Sequence, residues 1–272
     1  PQAVALEEKF IRDSKCDIIV EGEGEETLKE LMDYYIKNIG SLNMIKNIKY
    51  IQNEVFYQNP MRDIIKDLDE LPFPHYAYKS NDKLSIGFII SGRGCAFSCA
   101  FCYEGAKEKT VRYRSLENVF IEITTLLKNN KNISSIQLYD DTFTLNESRV
   151  MEFCERMSKL REHYQISWSC EIHCRTIYNK PHLIKKMIES GLIAAQIGIE
   201  SGSDVVLNAY NKKTTSNMIL ETINICKENG LPFLEGNIII GGAFETKKTI
   251  IQSMKFARKL LYAGAGMLDL NV

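Results

Sequence analysis

The sequence contains no apolar run approaching the roughly 20 residues that a membrane-spanning helix requires. It shows no low-complexity tract and no internal repeat. Lys and Arg together number 34 against 35 for Asp and Glu, so the chain has no excess of positive charge that would attract nucleic acid. A signal-like segment is also missing, which predicts a cytoplasmic chain whose thiols stay reduced. The expected partner is a small molecule rather than a membrane or a nucleic acid.

An initiator methionine is missing as well, because the chain begins with Pro1. This start predicts that the sequence is a segment of a longer protein. Its 272 residues allow one large domain or two smaller ones. A hydrophobic content of 44% is ample for a packed core.

Three of the 8 cysteines, Cys95, Cys99 and Cys102, lie close together, directly after an apolar stretch at 84–90. Thiolates at this spacing reach one metal centre only from a loop, and such soft ligands select zinc or an iron–sulfur cluster. Three ligands favour a cluster with one open iron, because structural zinc requires four ligands. Unrelated buried thiols are one alternative. The other is a zinc site that takes its fourth ligand from Cys154, Cys170, Cys174, Cys226 or His173.

The spacing Cys95-x-x-x-Cys99-x-x-Cys102, with the aromatic Phe101 before the last cysteine, resembles the cluster-binding loop of the radical S-adenosylmethionine (SAM) superfamily. The resemblance implies a [4Fe-4S] cluster whose fourth iron is chelated by SAM. It also implies reductive cleavage of SAM to a 5′-deoxyadenosyl radical that activates a C–H bond of a small-molecule substrate. An electron donor of the flavodoxin or ferredoxin type is then expected. Phe101 becomes a cofactor-binding candidate.

Strands and helices alternate in the rest of the chain. Strands are predicted at 85–90, 135–139, 166–170, 194–199, 234–240 and 267–272, and helices at 116–128, 147–161, 181–189, 215–228 and 247–261. Six strands separated by helices favour parallel pairing with right-handed crossovers. The expected fold class is α/β, and the resemblance implies a partial (β/α)6 TIM-like radical SAM barrel over residues 84–272.

Barrel chemistry belongs at the carboxyl ends of the strands, where several polar residues stand. Asp140 and Asp141 end the second strand. The resemblance assigns this pair to the ammonium group of SAM, with helix capping as the alternative for one of them. Strand alternation predicts that Glu171, His173 and Arg175 share one face of the third strand. An inward Arg175 would pair with the carboxylate of SAM.

The next two strands end in further candidates for cofactor binding. The resemblance places Glu200 near the ribose hydroxyls of SAM or a nearby cation, with a structural ion pair to Arg175 as the alternative. Gly241 and Gly242 would let a flat adenine ring approach the backbone. The family pattern departs here, because Ile238 stands where a glycine is expected.

Residues 1–38 read as a strand, a glycine-rich turn at Gly22 and Gly24, and a helix, which together form one unit of a doubly wound α/β domain. A simple tight turn is the alternative. The segment 17–27 resembles the C-terminal end of the Rossmann-like cobalamin-binding domain that precedes the barrel in one radical SAM class. Residues 39–83 are predicted to form a linker with a hairpin at 45–58. Cobalamin is therefore expected in the full-length protein and is not expected to be retained by this fragment.

The sequence thus predicts a radical SAM enzyme that carries out cobalamin-dependent methyl transfer or cyclisation of a small molecule. One alternative is a cobalamin-independent radical SAM enzyme that resembles the methylthiotransferases of RNA. That alternative predicts extra cluster cysteines and a basic module, and neither is evident in the sequence. A zinc-binding barrel without catalytic activity is the other alternative.

Overall fold

The computed structural model describes residues 2–75, 85–103 and 110–271. The chain divides into two compact units, Pro1–Lys66 and Asp67–Val272, called unit 1 and unit 2. Leu84, the predicted start of the barrel, and Val272, the predicted end of the last strand, lie outside the described residues, as do residues 76–83 of the predicted linker. Within the described ranges, no helix is both long and apolar enough to cross a membrane.

Unit 1 contains a small antiparallel sheet with two helices. Its elements are α1 (Gln2–Ser14), β1 (Ile18–Val20), α2 (Glu25–Lys37), β2 (Ile48–Gln52) and β3 (Val55–Gln58). The strand, turn and helix expected at the start of the chain are present, and so is the hairpin. However, β1 pairs antiparallel with β2 of that hairpin, which ties the hairpin to unit 1. The compact unit therefore extends to Lys66, beyond the boundary at residue 38 expected from the sequence.

Unit 2 is built on a six-stranded parallel sheet. Its strands are β4 (Ile86–Ile89), β7 (Ser135–Leu138), β8 (Ser167–Ile172), β9 (Leu192–Glu200), β10 (Phe233–Ile239) and β11 (Met267–Asn271), in this order across the sheet. The short strands β5 (Gly92–Arg93) and β6 (Arg112–Tyr113) form a separate two-stranded antiparallel ribbon that is not part of this sheet. Every neighbouring pair of the large sheet is parallel. The predicted fold class, a partial α/β barrel, is confirmed.

Helices connect the parallel strands. They are α3 (Leu116–Asn129), α4 (Glu147–Arg161), α5 (Cys174–Asn179), α6 (His182–Glu189), α7 (Asp204–Ala209), α8 (Ser216–Glu228) and α9 (Lys247–Ala263). The side chains of Ser115, Asn146 and Thr215 cap α3, α4 and α8 by accepting a backbone N–H of the first turn. The sequence did not predict α5 and α7, because six residues are too few to show a helical period.

The core of unit 2 packs the helices against one face of the sheet. Phe143, Phe153 and Trp168 are at most 1% exposed, and their rings meet edge to face at centroid distances of 5.1–5.7 Å. The indole N–H of Trp168 donates to the carbonyl of Ser190 at 3.2 Å. Because such a core is close-packed, the carboxyl ends of the strands are held in fixed positions.

Candidate functional site

A cysteine-bearing loop leaves the sheet after β4 and returns to α3. Its two ends are joined by the ribbon of β5 and β6. Gly94 has a φ of 94°, and a Cβ atom there would overlap the carbonyl oxygen of Thr110. Only glycine fits this close approach of two backbone segments. Residues 104–109 of the loop lie outside the described part of the chain.

A cavity of about 370 Å³ lies between this loop and the carboxyl ends of the strands. The loop contributes three thiols and two aromatic rings, and the strands contribute mostly polar groups. Its lining includes Cys95, Phe97, Cys99, Phe101, Cys102, Asp141, Glu171, His173, Gln196, Gly198, Glu200, Lys212, Asn237, Ile239 and Asn271. The sequence placed the site at this edge, and the structure brings most of its candidates together there.

The three loop thiols are free and half-buried. Burial is the main cause that raises the pKa of the Cys95 and Cys99 thiols, and the nearby charge of Lys212 opposes this effect at Cys99. In the described residues, no three His, Cys, Asp or Glu side chains are close enough to hold a single metal ion. A cluster has a different requirement, because each thiolate binds a different iron. The loop therefore fits a cluster better than one zinc ion.

The two adjacent acids after β7 have different surroundings. Asp140 is 4% exposed, and its carboxylate accepts hydrogen bonds from the N–H of Ser91 at 2.6 Å and from that of Gly92 at 3.2 Å. Burial raises the pKa of Asp140, and these hydrogen bonds offset part of the effect. Asp141 lines the cavity and accepts the N–H of Gly94 at 3.0 Å. Asp140 thus fastens the base of the loop, and Asp141 is the acid that faces the cavity.

His173 supports the loop from the sheet side. Its ring stacks on Phe97 at a centroid distance of 3.8 Å and an angle of 9°. Burial, with the charges of Lys212 and Arg175, lowers the pKa of His173 to about 3, so the ring is neutral at physiological pH. Neither ring nitrogen has a hydrogen-bond partner in the described residues. Stacking on Phe97 therefore holds the ring, and both ring nitrogens are without a partner among the described residues.

The tip of the loop is tied to the segment after α7. The N–H of Ala100 donates to the carbonyl of Tyr210, and the Asn211 amide donates to the carbonyl of Ser98, both at 2.9 Å. Phe101 meets the ring of Tyr210 edge on at 5.1 Å. These contacts hold the predicted cofactor-binding ring of Phe101 at the cavity wall.

A buried ion pair stands at the end of β9. The Lys212 ammonium lies 2.7 Å from the Glu200 carboxylate, and both side chains are at most 10% exposed. Burial is the largest single effect on the pKa of Lys212 and lowers it, but the charge and hydrogen bond of Glu200, together with the Cys99 and Cys174 thiols, outweigh it, so the pKa is raised. A Cβ atom at Gly198 would lie 2.6 Å from the Lys212 ammonium and would overlap Glu200, so the glycine makes room for the pair. Glu200 is paired, and its partner is Lys212.

Arg175 does not share a strand face with Glu171 and His173. The strand β8 ends at Ile172, and α5 begins at Cys174, so the alternation expected from the sequence stops before Arg175. Arg175 is exposed and is not among the residues that line the cavity. The prediction of an inward arginine is wrong, and so is the alternative pairing of Glu200 with Arg175. The cation found in the cavity lining is Lys212.

Gly241 and Gly242 follow β10 and bind an acid of their own chain. Both N–H groups donate to the Glu245 carboxylate, at 2.7 and 3.2 Å. A Cβ atom at Gly242 would overlap the hydroxyl of Tyr210. The strand residues that line the cavity nearest to them are Asn237 and Ile239. The two glycines shape the strand tip, and a contact with adenine stays a prediction.

Sequence reasoning missed Lys212 and Asn237. Lys212 follows Glu200 by 12 residues and reaches it only because α7 folds the chain back, so no spacing rule could have paired them. Asn237 occupies an alternate position of an apolar strand, and its inward polar side chain was a signal that strand periodicity offered.

A family model described as the Radical SAM superfamily matches residues 89–257. The chain is 34% identical to a protein named uncharacterized methyltransferase PH0819 of Pyrococcus horikoshii, over 96% of this chain and 57% of that protein. It is 26% identical to an anaerobic magnesium-protoporphyrin IX monomethyl ester cyclase of Cereibacter sphaeroides, over 89% of this chain and 40% of that protein. The chain thus spans about half the length of these relatives.

Solved structures share the fold. The cobalamin-dependent SAM radical enzyme OxsB, with aqua-cobalamin and SAM bound, superposes with a TM-score of 0.74 at 21% identity, over 92% of this chain and 37% of that one. The radical SAM methyltransferase TsrM from Kitasatospora setae superposes with a TM-score of 0.73 at 15% identity, over 96% of this chain and 52% of that one. At these identities the likeness concerns the fold alone.

Proposed function

This chain belongs to the radical SAM superfamily, and we propose that Cys95, Cys99 and Cys102 hold its [4Fe-4S] cluster while the neighbouring cavity binds SAM. The family assignment makes the protein an enzyme and implies the cluster and SAM as its cofactors. The observation that carries the site assignment is the convergence of three free thiols with a cavity-facing acid and a buried cation. A zinc-binding barrel without catalytic activity is set aside.

The chemistry supplied by the bound cluster and SAM is a one-electron cleavage of the sulfonium that yields a radical able to remove hydrogen from carbon. The chain's own residues bind, orient and shield these groups. Phe97 and Phe101 form apolar walls beside the thiols, which limits the access of water. The raised pKa values of Cys95 and Cys99 mean that cluster assembly must displace protons from these thiols.

The polar lining offers complementary charges to the amino-acid part of SAM. Asp141 presents a carboxylate to an ammonium group, and Lys212 presents an ammonium to a carboxylate. We assign to Lys212 the role that the sequence suggested for Arg175. Glu200 orients Lys212 through the 2.7 Å ion pair, and its second carboxylate oxygen is assigned to the ribose hydroxyls of SAM.

Anaerobic, reconstituted and reduced protein is expected to cleave SAM to 5′-deoxyadenosine and methionine, measured by liquid chromatography. Asp141→Asn should weaken SAM binding about tenfold or more, since a hydrogen bond to a charged group contributes about 1.5–3 kcal/mol. Asp140→Asn is the matched comparison: it should lower the melting temperature and cluster content, because its carboxylate holds Ser91 and Gly92. Equal SAM affinity in wild type and Asp141→Asn would move the ammonium site elsewhere.

We further propose that the reaction is methyl transfer or cyclisation of a small molecule with cobalamin in the full-length protein, and with a flavodoxin- or ferredoxin-type electron donor. The support is that two relatives are named a methyltransferase and a cyclase, and that a cobalamin-dependent enzyme shares the fold. Unit 1 resembles the end of a cobalamin domain in its β1–turn–α2 sequence.

The 272-residue chain is expected to retain much less than one equivalent of hydroxocobalamin after desalting. Residues 1–66 contain no histidine to ligate cobalt. The described part of unit 1 forms a three-stranded antiparallel sheet. The ligand crevice of a doubly wound α/β domain instead lies at the carboxyl ends of neighbouring parallel strands. Absorbance of the retained corrin measures the stoichiometry. One full equivalent on this chain would show that unit 1 binds cobalamin by itself.

A further inference from the structure

The concave face of the sheet carries a row of polar side chains below the thiols. Glu171, Gln196 and Glu235 are neighbours in register across β8, β9 and β10. The Gln196 amide donates to the Glu235 carboxylate at 2.9 Å. Asp269 of β11 places a further carboxyl group beside that of Glu235. Because side chains alternate along a strand, all four share the face of Asn237 and Asn271, which line the cavity.

Negative charge predominates on this face. Its carboxyl groups are Asp141, Glu171, Glu200, Glu235 and Asp269, and Lys212 is the cation among the described residues that line the cavity. Lys212 is already bonded to Glu200. Among the described residues, Glu171 has neither a hydrogen bond nor an ion pair, and Lys212 acts on it only through its charge. Burial and the charge of Asp141 raise the pKa of Glu171, and the charge of Lys212 offsets only part of this effect. Burial and the neighbouring Asp269 raise the pKa of Glu235.

A second observation points to a ligand in the same place. His173 lines this cavity, is 8% exposed, and has no hydrogen-bond partner for either ring nitrogen within the described residues. A buried polar group without a partner carries a desolvation cost. A bound molecule that reaches the ring would remove that cost.

Resting on the proposed function, we infer that the substrate enters this face with a cationic nitrogen, an ammonium or guanidinium group, held between Glu171 and Glu235. A cation at that position offsets the mutual repulsion of the carboxylates and restores charge balance. A carboxylate at the same position would add a negative charge to a face that has an excess of them. The polar row, rather than the SAM-binding residues, then sets the selectivity for the substrate.

The test measures the binding of three probes of equal size, benzylamine, benzyl alcohol and benzoate, by ligand-observed NMR. The protein is cluster-loaded, saturated with SAM and unreduced, so that the probes do not occupy the SAM site. We expect benzylamine to bind about tenfold or more tightly than the other two, as a charge-assisted hydrogen bond implies. The double variant Glu171→Gln/Glu235→Gln should remove most of this preference. Glu221→Gln on the exposed face of α8 is the matched control and should keep it.

Benzyl alcohol or benzoate binding as tightly as benzylamine would overturn the inference, and so would an amine preference that survives in the double variant. Iron content and SAM affinity are recorded on the same samples. If the wild-type protein fails to bind the cluster or SAM, the proposed function is contradicted. The amine preference is measured separately and depends on Glu171 and Glu235, so its absence contradicts only the present inference.

Discussion

Alanine at Cys95, Cys99 or Cys102 is expected to reduce the iron content of the reconstituted protein from about four atoms per chain to nearly none. Each thiolate of a three-cysteine cluster binds a different iron, so the loss of one leaves two ligands on a loop that cannot replace it. The neighbouring side chains Phe97 and Phe101 are apolar and offer no substitute. Iron and sulfide analysis, with the broad visible absorption of the cluster, measures the result.

The chain provides matched controls for this loss. Cys16 is a half-buried free thiol in unit 1, and Cys226 is 1% exposed in the core of unit 2. Alanine at either position should leave the iron content unchanged, although burial makes the Cys226 variant less stable. Undiminished iron in any of the three loop variants would remove that cysteine from the ligand set.

Breaking the buried pair of Glu200 and Lys212 is expected to cost about 3–5 kcal/mol, because the remaining charge is left without a partner. For a unit of this size, that loss corresponds to a fall in melting temperature of about 6–20 °C. Glu200→Gln and Lys212→Met should each show it in thermal unfolding followed by circular dichroism. The double variant should recover most of the stability, since no buried charge remains.

A second measurement separates stability from binding. The double variant should recover its melting temperature without recovering SAM affinity, because Lys212 is the proposed partner of the SAM carboxylate. Lys186→Met, which breaks an ion pair with Glu189 that is 50% exposed on both sides, is the control and should change stability by less than about 0.5 kcal/mol. Full recovery of SAM affinity in the double variant would limit the ion pair to a structural role.

The pH dependence of this pair follows from the raised pKa of Lys212. A lysine whose pKa is higher in the folded state than in the unfolded state stabilises the fold fully below its unfolded pKa of about 10.4. The contribution decreases only as the pH rises through the folded-state pKa. Unfolding experiments between neutral pH and about pH 9, below the unfolded-state pKa of lysine, should therefore show a constant difference between the wild type and the double variant.

Local patterns were sufficient for most of the fold. The predicted bounds of α4 agree with the structure at both ends, and the structure shows that the Asn146 side chain caps it. The strand and helix alternation predicted the six parallel strands, because each strand is apolar and each intervening helix has one apolar face. The direction in which β1 pairs was not predictable in this way, since a short apolar strand can pair parallel or antiparallel until its neighbour is known.

The site was predictable only as far as its chemistry lies in consecutive residues. The sequence determined the cysteine loop and its position after a strand, because the three cysteines fall within eight residues. Tertiary structure decided that Asp141 faces the cavity while Asp140 fastens the loop, that Arg175 lies outside, and that Lys212 is the cation in the described lining. These choices depend on where β8 ends and on how α7 returns the chain to β9. Such facts are set by packing between distant segments, and the local spacing of residues does not contain them.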